Sequence, residues 1–156
     1  MTDVEHFHVS KSLPWYAFKA AVDDIAEQGV IPEEDKDMIC SQAGDYRKIT
    51  SDSGETCGVY IAIDNDVTLS LIMSACKYNY RSRLWPVIAN KMKRTAQSRK
   101  LIAMVTTYED DDEAIKVLAE LNFQAVPKRV ETYEGKSGQT CDHVLTWFWD
   151  ECLHEL

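Results

Sequence analysis

No apolar run in this chain approaches the roughly 20 residues that a membrane-crossing helix needs, so a membrane partner is not expected. Nor does the start, Met1-Thr-Asp-Val-Glu-His6, set a basic stretch before an apolar one, so no secretory signal is expected either. The five cysteines, Cys40, Cys57, Cys76, Cys141 and Cys152, are odd in number, widely spaced and form no CxxC pair. That pattern points to neither a zinc knuckle nor a disulfide framework, and reduced thiols in a cytoplasmic protein are its simplest account. Repeats, low-complexity tracts and linkers are lacking too, which makes residues 1–156 one expected domain. What is there is ordinary globular material, 45% hydrophobic and 28% charged, enough to bury a full core.

The charge is unevenly spread. The formal net charge is −9, yet Lys77, Arg81, Arg83, Lys91, Lys93, Arg94, Arg99 and Lys100 follow one another with no acid between them. A basic segment in an acidic chain suits one specific anionic ligand better than general nucleic-acid affinity, so nucleic acid is an improbable partner. The plain alternative is a solvated helix face with a few ion pairs. Net acidity alone would also fit a nucleic-acid mimic, which this basic segment argues against.

Hydrophobic periodicity gives the order of elements. Glu5–Val9 alternates like a short strand that would put His6 and His8 on one face, with no third metal ligand nearby, so no metal site is expected. Ser12 is a candidate N-cap for a helix in which Pro14 suits the first turn and Trp15, Phe18, Val22 and Ile25 form an apolar stripe. Gly29 stops that helix, and a second, acidic at its start, runs from Pro32 towards Gly44. Tyr46–Thr50, Cys57–Ile63 and Val67–Cys76 read as antiparallel strands joined by the turns Ser51–Gly54 and Asp64–Asp66. After a polar passage, Lys77–Pro86, a helix is expected over Val87–Arg99, then a strand, Leu101–Thr107, then a helix ending at Leu121-Asn-Phe123. The acidic run Glu109–Glu113 at that helix start is explained by the macrodipole, with recognition of a cationic amine as the functional alternative. Lys128–Tyr133, the turn Glu134–Gly138 and Asp142–Trp149 complete the chain as a terminal hairpin. Strand, helix, strand, helix from Val67 to Phe123 predicts a parallel strand pair, splayed at the Cys76 end, in a mixed α/β sheet flanked by helices. Such a hand-over from strand to helix is where backbone N–H groups meet anions.

Two stretches resemble the GCN5-related N-acetyltransferase (GNAT) family. Arg81-Ser-Arg-Leu-Trp-Pro86 stands where that family has its Arg/Gln-x-x-Gly-x-Gly/Ala pyrophosphate loop, and Ala114-Ile-Lys-Val-Leu-Ala-Glu-Leu-Asn-Phe123 resembles its Ala-Ile-x-Leu-Tyr-Glu-Lys-Leu-Gly-Phe helix end. The resemblance covers most of the chain from Trp15 onward and implies a GNAT-like fold whose fourth and fifth strands are parallel. The departures are specific. Leu84 and Pro86 replace the two glycines, and Pro86 has no N–H to offer a phosphate. Leu118 replaces the usual catalytic tyrosine, Asn122 replaces a glycine at a position where Asn tolerates the left-handed cap, and Asp111 replaces the asparagine that often opens the helix. No Glu sits in the Val67–Cys76 strand, where a general base is often found.

The resemblance implies an acyl-CoA-dependent N-acyltransferase, with acetyl-CoA as co-substrate and an unidentified amine or protein as acceptor. It places pantetheine beside Ser74, Ala75 and Cys76, and the pyrophosphate on the amides of Arg81, Ser82, Arg83, Leu84 and Trp85, assisted by the two arginines. Lys91, Lys93 or Arg94 could reach the 3′-phosphate. The candidate acids and bases are Tyr108 and His143, with Tyr78 and Tyr80 further tyrosines near the thioester and Cys76 a candidate nucleophile. The contrasting expectation is a catalytically degenerate GNAT-like phage protein, similar to short virion proteins with aromatic-rich ends such as Leu145–Trp149, acting in the virion or the host cytoplasm. A homodimer is one assembly open to either.

Overall fold

The computed structural model describes residues 6–27, 31, 33–80, 83–108, 111–131 and 141–150. Within these, β1 (Phe7–Val9) precedes two helices, α1 (Trp15–Ala26) and α2 (Glu33–Cys40). Three strands follow, β2 (Asp45–Ser51), β3 (Thr56–Asp64) and β4 (Thr68–Cys76). A single 3-10 turn, Tyr78–Tyr80, leads towards α3 (Leu84–Arg99), then β5 (Ile102–Tyr108), α4 (Asp112–Glu120), β6 (Gln124–Glu131) and β7 (Cys141–Trp149).

These strands form a seven-stranded mixed sheet in the order β1-β2-β3-β4-β5-β7-β6. The β3–β4 hairpin is closed by Asn65, whose Oδ1 accepts from the N–H groups of Val67 and Thr68, both at 2.7 Å. β4 and β5 run parallel, as expected from the strand–helix–strand–helix order, and pair over Thr68–Ser70 against Ile102–Met104. Among the described residues no β4–β5 pair lies beyond Ser70–Met104, whereas β5 continues against β7 as far as Tyr108. The sheet therefore splits at the carboxyl end of β4, the end at which the splay was expected.

Each face of the sheet has its own core. On one face Phe18, Val22 and Ile25 of α1 pack with Val59 and Ile61 of β3. On the other, Leu84, Ile88, Met92 and Ala96 of α3 and Leu118 of α4 pack with Tyr60, Leu69, Ala103 and Val105. β3 is thus buried on both sides, which is why Cys57-Gly-Val-Tyr-Ile-Ala62 reads as a nearly continuous apolar run. Burial pushes the Tyr60 phenol up to about 12.

Several local expectations shift. Ser12 is not the N-cap of α1: Pro14 holds that position with extended backbone, and α1 begins at Trp15 with no side-chain cap. α3 begins at Leu84, three residues before the expected Val87. Pro86 sits in its first turn, where a missing N–H costs no intrahelical bond. Among the described residues, both non-glycine residues in the left-handed region close helices. Lys100 (φ 58°) and Asn122 (φ 68°) follow α3 and α4, with Leu101 N–H bonding Ala96 O at 2.8 Å and Phe123 N–H bonding Leu118 O at 3.0 Å. The expected turn Glu134–Gly138, the end of the Lys128–Tyr133 strand, Gly29 and Pro32 lie outside the described residues.

Candidate functional site

A single irregularity aims the end of β4. Its ladder to β3 runs Ala62↔Leu71 and then Ile61↔Met73, so Ile72 is an unpaired bulge residue. Because side chains alternate along a strand, one extra residue exchanges the two faces beyond it. Leu69 and Leu71 face the α3 core, while Met73 and Ala75 pack instead against the α1 core. Cys76 consequently returns to the α3 side.

There it borders a cleft of about 140 Å³ lined by Ser74, Ala75 and Cys76 from β4 and Leu84, Trp85 and Ile88 from α3. Ser74 is exposed, Ala75, Cys76 and Trp85 are half-buried, and Leu84 and Ile88 are buried. Five of these six were singled out in the sequence; Ile88, one helical turn beyond Leu84, was not. Cys40, Cys57 and Cys76 stand outside any disulfide, and burial pushes the Cys40 and Cys57 thiols above the usual thiol value.

Leu84, which fills a position where glycine was expected, does not obstruct the cleft. Its side chain, 2% exposed, enters the sheet beside Gly58. A Cβ on Gly58 would stand 2.5 Å from Leu84 Cδ1 and 3.0 Å from the Ala75 carbonyl oxygen. A glycine inside a strand marks a close approach, and Gly58 is the signal the sequence offered for this one.

The first turn of α3 carries neither a side-chain cap nor an acid, and its N-cap is Arg83. The Arg83 guanidinium stacks on the Tyr80 ring at 4.6 Å and donates to the Asn79 carbonyl at 2.9 Å. Tyr80 donates its hydroxyl to Glu55 Oε2 at 2.7 Å and meets Phe7 edge-on, with centroids 5.9 Å apart. Lys77, its side chain 8% exposed, ion-pairs with Glu55 Oε1 at 3.4 Å and Asp24 Oδ1 at 3.3 Å. Burial pulls the Lys77 ammonium down, but its bonds to Asp24 and Glu55 outweigh this and hold it above the ordinary lysine value. The Tyr80 hydroxyl holds the Glu55 carboxyl below its usual range, and the same bond raises the phenol. Nothing in the sequence linked Glu55 to Tyr80, 25 residues away.

The remaining candidates are scattered. Arg81 and Ser82 lie outside the described residues. Tyr78 is 75% exposed on the 3-10 turn. Tyr108 ends β5 opposite Val144, and His143 pairs with Arg129 in the β6–β7 hairpin; the side chains of both lie outside the description. Lys93 is committed elsewhere, donating to Leu121 O at 3.1 Å and lying over the Trp149 ring. Leu118 is fully buried in the core. Asp111 caps α4 by accepting from Ala114 N–H at 3.2 Å, and Asp112 and Glu113 occupy its first turn, so this part of the acidic run serves its own helix. His8 bonds Asp52 at 2.8 Å, and no group of three metal-ligating side chains occurs among the described residues.

No protein-family model and no curated protein matches the sequence. Solved structures match its shape. The ribosomal-protein-S18-alanine N-acetyltransferase from Escherichia coli is 16% identical, with 92% of this chain and 94% of that one covered at a TM-score of 0.66. The dodecameric spermidine N-acetyltransferase from Vibrio cholerae is 11% identical, with 95% of each chain covered at 0.68. A GNAT-family acetyltransferase from Bacillus anthracis is 9% identical, with 92% and 95% covered at 0.65. The mixed sheet with its parallel β4–β5 pair and flanking helices is a GNAT-like fold.

Proposed function

We propose that this chain is an acyl-CoA-dependent N-acyltransferase whose donor occupies the β4–α3 cleft. The observation that carries the reading is the parting of β4 from β5 beyond Ser70, with the cleft opening beside the uncapped start of α3. In this reading the backbone of Ser74, Ala75 and Cys76 aligns the pantetheine arm, and Leu84, Trp85 and Ile88 form its apolar wall. The amides of Leu84 and Trp85, with the Arg83 guanidinium and the neighbouring Arg81 and Ser82, receive the pyrophosphate. Pro86 removes one amide, so side-chain charge carries a larger share of that binding. With Lys93 committed to α4, Lys91 and Arg94 are the cations left for a 3′-phosphate. The acyl acceptor is an amine or an amine-bearing protein, and acetyl-CoA is the donor to try first.

The reaction needs little beyond placement. The neutral amine attacks the thioester carbonyl carbon, the C–S bond breaks, the nitrogen loses a proton, and the leaving thiolate gains one. Leu118 supplies no such proton. Tyr80 is a poor donor because its hydroxyl is engaged by Glu55. Tyr108 and His143 therefore remain the proposed acid and base, with Tyr78 as the alternative acid. A general acid contributes about 10²–10⁴-fold, so transfer that leaves this proton to water should be slow.

The second reading, a GNAT-like scaffold that acts in a phage particle or on a host partner without transferring an acyl group, rests on the leucine at position 118 where the family has its catalytic tyrosine. Calorimetric titration with acetyl-CoA and CoA separates the two. Binding of both in the micromolar range is the expected result; no heat at millimolar ligand would remove the acyl-CoA reading and leave the scaffold.

A further inference from the structure

We propose that Glu55 and Tyr80 are positioning residues that set the start of α3 for the acyl donor through one hydrogen bond, without touching the donor. The inference rests on the acyl-CoA reading above and adds a determinant of donor affinity. The connection from Lys77 to Arg83 contains no glycine, and its helix opens with one amide missing at Pro86. The amides that remain are useful only if the first turn of α3 is held in place before the ligand arrives.

The contacts around the connection do that holding from three sides. At its root, Lys77 N–H continues the sheet by bonding Cys57 O at 2.8 Å, and its ammonium bridges Asp24 on α1 and Glu55. In its middle, Tyr80 N–H bonds Lys77 O at 2.9 Å, its ring abuts Phe7 of β1, and its hydroxyl is fixed by Glu55. At its end, Arg83 N–H bonds Tyr80 O at 3.0 Å while its guanidinium rests on the Tyr80 ring. Glu55 is itself fixed by the β2–β3 turn, where its carbonyl accepts from Ser51 N–H at 2.9 Å. One carboxylate thereby holds both the lysine that follows β4 and the tyrosine that carries the α3 N-cap.

Glu55 is exposed, and an exposed charged contact adds little to global stability. Its effect should therefore appear in binding more than in folding. The test compares the full-length chain with Tyr80→Phe, Glu55→Ala, their double variant and Glu55→Gln. Each is titrated with CoA and with pantetheine, which lacks the pyrophosphate. Tyr80→Phe and Glu55→Ala should each weaken CoA about 3–10-fold, less than loss of a direct charge-assisted contact would, because the bond acts on the donor only through the placement of α3. The double variant should be no worse than the weaker single, and Glu55→Gln, which can still accept from Tyr80, should recover most of the loss. Pantetheine affinity should not change, and the Tyr80 and Arg83 amides should exchange faster in Tyr80→Phe. Unchanged CoA affinity in both single variants, with the parent binding CoA, would overturn the positioning role and leave the acyl-CoA reading intact. A parent that binds no CoA would overturn both. An equal loss of pantetheine and CoA affinity would overturn the inference too, by making the effect a general loosening of the fold.

Discussion

Two helices follow the two parallel strands, and they begin in opposite ways. α4, after β5, is closed by its own chain: Asp111 accepts from Ala114 N–H, and Asp112 and Glu113 complement the positive end of the dipole. α3, after β4, has an arginine at its N-cap, no acid in its first turn and a cleft alongside. The same backbone chemistry is thus met by a side-chain cap at one hand-over, while at the other the N-cap residue makes no side-chain cap bond. A helix start closed by its own acids is an element of stability. The start of α3, flanked by cations, is where we propose that the donor's phosphates bind.

The largest test of this contrast removes the cations beside α3. Arg81→Ala with Arg83→Ala should lower CoA affinity more than about 100-fold in a titration, since each charge-assisted contact is worth about 1.5–3 kcal/mol. Circular dichroism should show the fold retained. Equal affinity in the double variant would mean that the open end of α3 is not where the phosphates bind.

Gly58→Ala tests the packing that lets Leu84 stand where glycine was expected. The added methyl meets Leu84 and the Ala75 carbonyl, and overpacking of this kind typically costs about 1–3 kcal/mol. Urea denaturation should show that loss, and Leu84→Ala should cost less in the Gly58→Ala background than in the parent, because there it also clears the nearer clash.

Asp111→Ala tests the other side of the contrast. Removal of an N-cap costs about 0.5–2 kcal/mol, so the melting temperature should fall while CoA affinity holds. A loss of CoA affinity in this variant would show that the two helix starts are not separate in function.

The smallest expected effect is with pH. Glu55 titrates below its ordinary 4.5, so its contribution is present above that value and lost as pH falls through its lower folded value. Tyr80 and Lys77 titrate above their ordinary 10.0 and 10.5, so their contributions are present below those values and lost as pH rises through the folded ones. Exchange of the Tyr80 amide, corrected for its intrinsic pH dependence, should be flat between pH 6 and 9 and rise at both extremes.

Much of this architecture is legible along the chain because the signals are local. The apolar runs of β3, β4 and β5, the Asp64–Asp66 turn and the stripe of α1 each lie within a few residues of one another. The resemblance to the GNAT family also pointed to Ser74–Cys76, Leu84 and Trp85, which the structure gathers around one cavity. α3 begins inside the passage Lys77–Pro86 that reads as polar, because the first helical turn tolerates Pro86. The Ile72 bulge and the Glu55–Tyr80 bond are matters of register and of contact between distant segments, which no local pattern encodes. The burial of Leu118 could have been read from its spacing with Ala114 and Leu121 on one helical stripe.

The fit between Gly58 and Leu84 also constrains the order in which such a pair can change. The space between β3 and α3 admits one side chain, supplied from either segment. With both positions filled the chains collide; with both bare a void is left, and emptying a leucine-sized site costs about 2–5 kcal/mol. Descent from an ancestor with the small residue at 84 would have had to pass through one of these two poor intermediates. Among relatives of this chain, residues 58 and 84 should therefore vary as a reciprocal pair, one large where the other is small.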